Sequence, residues 1–298
     1  MANSEFTLDA LIPAEMAARA EEVGVKKANM PFMTTFVLAV LAGAFVAAGG
    51  LFMTTVTAGG LTVKLTDGTI SSTLSLPYGM VRLVGGACFS LGLILVLVGG
   101  AELFTGNNLI VMAFINRRVK LLALLQNWAI VYIGNFAGSI LTAVIMFYTR
   151  QHTFGGGAIG LNMLAIGEAK TSLDFLQAVA LGMMCNAIVC MAVWLTYSAR
   201  TTTDRILAIV PTIAAFVAAS FEHSVANMYL IPIALFVKYG ASPSFFTLIQ
   251  KTAEDYPHLT WANFLFVNLV PVTIGNIIGG AVMVGVVYWF VYRRKAVK

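Results

Sequence analysis

Charge is scarce in this 298-residue chain: Asp, Glu, Lys and Arg together make up 10% of it, against 59% hydrophobic residues. A soluble domain carries about 25% charged residues, so a soluble globular fold is excluded and an integral membrane protein is expected. Cysteine is scarce too. Cys88, Cys185 and Cys190 all lie inside apolar stretches without metal-ligand spacing, which reads as core packing and leaves the redox compartment open. No His-Glu-x-x-His zinc pattern, Gly-x-Ser-x-Gly elbow or intramembrane aspartate pair occurs. An intramembrane enzyme is therefore disfavoured, and neither a metal nor a cofactor is expected. No basic segment followed by an apolar core and a cleavage site opens the chain, so no signal peptide is expected.

What the chain has instead is long apolar runs. Lipid offers the backbone no hydrogen-bond partner, so runs of this length fold as helices, whereas barrels show only short alternating segments. Six spans are expected, at residues 33–56, 83–115, 121–149, 175–198, 206–237 and 262–291. Basic residues divide unevenly between the connections. One set holds twelve: Arg19, Lys26, Lys27, Arg117, Arg118, Lys120, Arg200, Arg205, Arg293, Arg294, Lys295 and Lys298. The other holds six, Lys64, Arg82, Arg150, Lys170, Lys238 and Lys251. The positive-inside rule then places both termini in the cytoplasm of a multi-pass protein of the inner membrane. The net charge of +5 follows from this topology and does not imply a nucleic-acid partner.

Two of the spans are too long for one straight crossing. Residues 83–115 and 206–237 contain 33 and 32 residues, where about 20 suffice to cross the hydrocarbon core. Each is interrupted by polar residues: Glu102-Leu103-Phe104-Thr105-Gly106-Asn107-Asn108 in the first and Ser220-Phe221-Glu222-His223-Ser224 in the second. Glycine and asparagine readily leave helical geometry, so Gly99-Gly100 and Thr105–Asn108 favour a break over a strong tilt. Broken helices in corresponding halves point to a substrate pathway near mid-membrane.

A repeat relates the halves. Asn127, Ile133, Gly134, Asn135 and Gly138 recur as Asn268, Ile274, Gly275, Asn276 and Gly279, each 141 residues later. With three spans per half, the second copy must be inverted, which brings the two breaks together. The expected fold is an all-α membrane protein with six transmembrane helices in two inverted three-helix repeats, the second and fifth helices broken. Residues 1–32 read as a cytoplasmic N-terminal amphipathic helix with Met16, Ala20 and Val23 on one side. Residues 33–292 form the channel domain and 293–298 a cytoplasmic tail.

His223 is the single histidine in a span; His152 and His258 fall in outer loops, where a solvated role is expected. Desolvation favours a neutral imidazole and an approaching anion favours the cation, so His223 is a candidate proton donor to a weak-acid anion. Glu102 and Glu222 are read first as caps of the broken helices. Thr105, Asn135, Asn186 and Asn276 either line a polar constriction or tie helices together.

At these residues the sequence resembles the formate/nitrite transporter family, most closely its formate channels, over roughly residues 8–292. The motifs that carry the resemblance are the 102–108 segment, Phe221-Glu-His-Ser-Val-Ala-Asn-Met228, and the run from Asn268 to Gly280. It implies an aquaporin-like fold assembled as a homopentamer, each protomer passing formate and related small monovalent weak-acid anions with protons. It assigns His223, Thr105, Asn186, Asn276, Lys170 and Glu222 to the substrate pathway. It maps apolar constrictions onto Phe89, Leu93, Leu103, Phe104, Val189 and Phe216, with Phe89 narrowing the outer side and Phe216 the inner. The connection around Thr66–Thr73 and the Gly106-Asn107-Asn108 turn depart from the formate-channel pattern, the latter toward nitrite and hydrosulfide relatives. A neutral-solute facilitator of the aquaporin kind is the competing transport reading, but its paired Asn-Pro-Ala signatures are absent.

Overall fold

A computed structural model describes residues 10–59, 61–64, 70–74 and 77–294 of the chain. Its helices are α1 (Pro13–Ala28), α2 (Phe32–Val56), α3 (Tyr78–Gly99), α4 (Phe104–Ile115), α5 (Leu121–Tyr148) and α6 (Ala158–Thr171). They continue as α7 (Phe175–Ser198), α8 (Thr202–Ala218), α9 (Ser224–Gly240), α10 (Pro243–Ile249) and α11 (Asn263–Tyr292). Five of them, α2, α3, α5, α7 and α11, are each long and apolar enough to cross a membrane. Neither α8 nor α9, at 17 residues each, reaches that length alone, and the two together supply the sixth crossing. α10 turns 109° from α9 and runs away from the crossing. One hairpin departs from the all-helical expectation: β1 (Leu61–Lys64) pairs antiparallel with β2 (Ile70–Leu74), and residues 65–69 between them lie outside the described set.

The inverted repeat is present in the packing. α2 packs on α5 and α3 in the first half, as α7 packs on α11 and α8 in the second. Small residues allow the close approach: a Cβ on Gly138 would collide with the Val40 carbonyl, and one on its counterpart Gly279 with the Met183 carbonyl. Tyr132 and Thr273, also counterparts 141 residues apart, meet through their hydroxyls at 2.8 Å, which marks the pseudo-two-fold axis.

Each half has one more helix than the hydropathy indicates. α6 was expected to be part of an outer connection, yet it occupies in the second half the place that α1 takes in the first. α6 packs on α9 as α1 packs on α4. α1 starts at Pro13, with the Glu15 carboxylate accepting from the Ile12 amide, and buries Met16, Ala17 and Ala20 against Trp194 and Met112. Residues 1–9 of the expected N-terminal helix and 295–298 of the tail lie outside the described residues.

The breaks differ in how they are made. Gly100, with φ of +83°, ends α3 in the left-handed conformation that glycine adopts without Cβ strain. Ser220, 120 residues later, takes φ of +59° and is held by hydrogen bonds from Tyr78 and Arg82. Each extended break is pinned by one backbone bond, from the Glu102 amide to the Leu38 carbonyl and from the Glu222 amide to the Leu181 carbonyl. Thr105, expected at the break itself, lies in the first turn of α4, just after it.

Candidate functional site

Two buried ion pairs flank the centre of the molecule. In the second half, Lys170 Nζ lies 2.7 Å from Glu222 Oε1, and Asn227 Nδ2 and Asn268 Nδ2 donate to Oε2 at 2.7 and 3.2 Å. Asn268 also donates to the Lys170 carbonyl at 2.8 Å. The first half repeats this part for part. Lys27 lies 2.8 Å from Glu102, Asn107 donates to the same carboxylate at 2.8 Å and to Asn127 at 2.9 Å, and Asn127 donates to the Lys27 carbonyl at 3.1 Å. Neither glutamate caps a helix, contrary to expectation. A buried carboxylate is stabilised best by a cation plus amide donors, and lysines from α1 and α6 supply the cations.

The N-cap positions go to Leu103 and His223. His223 Nδ1 accepts from the Ala226 backbone amide at 3.1 Å. That amide can only donate, so the hydrogen of the neutral ring belongs on Nε2, which stands 3.0 Å from Thr105 Oγ1. The two breaks therefore touch through one hydrogen bond between Thr105 and His223. Asn186 and Asn276 hold this contact in place. Asn186 Nδ2 donates to the Thr105 and Asn276 carbonyls and to Asn108 Oδ1, while Asn276 accepts from the Ser224 amide and donates to the Gly182 and Glu222 carbonyls. Both asparagines tie helices and line neither of the cavities described next.

A cavity of about 380 Å³ opens at the Lys27 end, lined among others by Arg19, Lys26, Arg205, Leu93, Leu103 and Asn107. A smaller one of about 50 Å³ lies at the Lys170 end, with Arg82, Phe89, Phe216, Asn227 and His223 in its wall. His223 stands in the wall of the smaller cavity, and Thr105, fully buried, reaches it from the other break and lines neither cavity; Val189 is buried in the apolar core and also lines neither. The placement of the aromatic constrictions needs correction. Phe216 stands edge-to-face on Phe89 at 5.7 Å between ring centroids and stacks on His223 at 6.0 Å. The two phenylalanines thus meet in one cavity wall at the Lys170 end, where α3 and α8 pack together, rather than on opposite sides. Phe104 lines neither cavity and packs on Tyr132 and Trp128.

Hydropathy and motif reading missed Lys27, taken there as one topological charge among twelve. The signal was available: Lys27 and Lys170 precede Asn127 and Asn268 by 100 and 98 residues, within two of the same offset. His152 was expected to be solvated, yet it is buried between Phe147 and Phe245. Burial and the nearby Arg150 charge both push its pKa down from 6.5. His258 is exposed and pairs with Glu168 at 2.7 Å.

A sequence profile of the formate/nitrite transporter family matches residues 14–290. The chain belongs to this family. Among members of the formate/nitrite transporter family, the formate channel FocA of Escherichia coli K12 is 44% identical over 287 residues, 96% of either chain. FocA of Haemophilus influenzae is 36% identical over 284 residues, 95% of either chain. A solved pentameric formate channel with formate bound is 43% identical and superposes with a TM-score of 0.79, covering 88% of this chain and 98% of the other. These relatives are channels, and the helices described above make this family member a membrane-spanning protein as well.

Proposed function

We propose that the protein conducts formate and related small monovalent weak-acid anions through a pore in each protomer of a homopentamer. The pore lies in the cytoplasmic membrane, with both termini on the cytoplasmic side. The observation that carries this reading is the Thr105–His223 contact, one polar gate between two cavities that each end on a Lys–Glu pair. Similarity to formate channels over nearly the whole chain supports the choice of substrate.

The chemistry follows from the barrier. A bare anion meets a steep cost in the apolar zone of Phe89, Phe216, Leu93 and Leu103, and a neutral acid meets a far smaller one. His223 presents Nε2–H toward the gate, where an incoming carboxylate replaces the Thr105 hydroxyl as acceptor. Net proton delivery passes through the doubly protonated ring, which requires Nδ1 to release the Ala226 amide. The anion then crosses as its acid and leaves the ring as the Nδ1–H tautomer; the ring regains its cap once a solvent proton is taken up at Nε2 and the Nδ1 proton is released. Asn186 and Asn276 act by positioning Thr105 and the break rather than by touching the substrate.

The test is uptake of formate, nitrite, hydrosulfide, acetate and lactate into proteoliposomes, side by side across pH. Formate is expected to lead, with uptake increasing toward acid pH. A preference for nitrite or hydrosulfide overturns the substrate. Proton-coupled formate uptake that persists in His223→Phe overturns the role of the histidine.

A further inference from the structure

The Lys170 end of the pathway holds a cation without a counter-ion, and it is not Lys170. The charge of Lys170 is met by Glu222 at 2.7 Å, inside a carboxylate node completed by Asn227 and Asn268. Arg82 lines the same 50 Å³ cavity, and among the described residues no carboxylate pairs with it. Its Nη2 is committed, donating to the Val217 carbonyl and to Ser220 Oγ, both at 2.9 Å, and the guanidinium lies 5.9 Å from the Tyr78 ring centroid. Its Nε is buried and has no acceptor. A buried N–H left without a partner is costly until an acceptor arrives. The adjoining space is ample for one, against a minimum of roughly 10 to 15 Å³ for a water. The cavity wall also carries an apolar side, Phe89 and Phe216, and the gate residue His223.

We infer that Arg82 is a substrate-binding residue of this pore, holding the incoming carboxylate at its Nε–H next to the Phe89–Phe216 constriction. Val217 and Ser220 fix the guanidinium so that it cannot follow the anion inward. Lys170, neutralised by Glu222, contributes little net attraction. Asn227 Oδ1, the unpartnered acceptor of the same wall, suits the hydroxyl of the acid form once a proton has been taken. This assignment rests on the proposed conduction of small carboxylates.

The test measures initial formate flux from the Lys170 side against formate concentration, in oriented proteoliposomes of the full-length chain. Arg82→Gln is expected to raise the half-saturating concentration about tenfold, the lower end of what focused charge contributes, with the maximal rate kept within about twofold. Arg82→Lys retains the charge but has no Nε–H, and it is expected to raise the half-saturating concentration too, by less than Arg82→Gln does. Ser220→Gly keeps the left-handed backbone and removes one of the two acceptors that brace Arg82; it is expected to raise the half-saturating concentration less than Arg82→Gln does, because the Val217 carbonyl still holds Nη2. An unchanged half-saturation in Arg82→Gln overturns the inference. So does a Ser220→Gly variant that reproduces the Arg82→Gln defect, since the effect is then a brace on the break. Should Arg82→Gln fail to assemble, Arg82→Lys decides alone: a half-saturating concentration unchanged from wild type there overturns the Nε–H contact. Absence of formate flux in the wild type refutes the conduction reading itself and is distinct from all of these outcomes.

Discussion

The two halves of the molecule build the same node from the same parts and use it differently. Lys27, Glu102, Asn107 and Asn127 on one side answer to Lys170, Glu222, Asn227 and Asn268 on the other. At the position that follows the glutamate, however, the first half has Leu103 and the second His223. The first node is also the better satisfied. Lys27 reaches Asn107 Oδ1 at 2.9 Å, whereas Asn227 Oδ1 has no partner. Symmetry therefore supplies the scaffold, and one of the asymmetric positions of the two breaks, Leu103 against His223, supplies the titratable group. A symmetric pair of histidines there would face each other as like charges whenever both were protonated, and would hinder the proton transfer proposed for one.

The largest effect that can break this comparison comes from making the halves alike. His223→Leu gives the second break the residue of the first, and formate flux is expected to fall about a hundredfold, the consequence of an uncompensated barrier of roughly 3 kcal/mol. Flux within a few-fold of wild type shows that the asymmetry is incidental. Next come the two nodes. Glu222→Gln leaves Lys170 buried without its counter-ion and is expected to cost about 3–5 kcal/mol, read as a drop in the thermal midpoint of the detergent-solubilised protein. Glu102→Gln should cost less, because the Lys27 side chain is 25% exposed against 16% for Lys170. Equal losses contradict the ranking. Gly138→Ala and Gly279→Ala come third, each forcing α2 off α5 or α7 off α11, for about 1–3 kcal/mol apiece. These two should match, because both Cβ atoms meet a carbonyl of the partner helix in the same way.

The smallest expected effect lies outside the membrane. His152 stacks on Phe147 with its pKa held below 6.5, so below that pH the unfolded chain takes up a proton that the folded chain refuses. Stability is therefore complete above about pH 6.5 and declines as the pH falls below it. His152→Phe should flatten that decline in thermal melts between pH 7.5 and 5. A wild type whose midpoint is unchanged over this range would falsify the assignment.

Much of the molecule is legible without coordinates, for identifiable reasons. Apolar length locates α2, α5, α7 and α11 to within a residue or two, because lipid requires each span to close its own hydrogen bonds. The breaks at Gly100 and Ser220 are visible because a length of 33 or 32 residues cannot be reconciled with one straight crossing. What the pattern hides is α6, a helix that does not cross, and the packing of α1, although the amphipathic pattern does indicate α1 itself. α1 and α6 are short, and α6 is too apolar to look amphipathic and too brief to count as a span. With them, the meaning of Lys27 stayed out of view.

Side-chain direction is the other blind spot. Phe104 and Phe216 are equally apolar and equally close to a break, and nothing in their neighbours along the chain says that one turns to Tyr132 and the other to Phe89. Arg82 reads as a loop charge, since a cation near the end of a span is most often solvated or snorkelling. Hydropathy, charge asymmetry and the Gly-Asn repeat by themselves determined the membrane location, the number of crossings, the two broken helices and the single central histidine, because each depends on composition along a segment. Only the tertiary structure decided the partners: which lysine meets which glutamate, which asparagines hold Thr105 against His223, and which cation is left uncompensated. Those depend on contacts between residues up to 118 positions apart, as in the gate itself, and such contacts exist only once the two inverted halves have closed on each other.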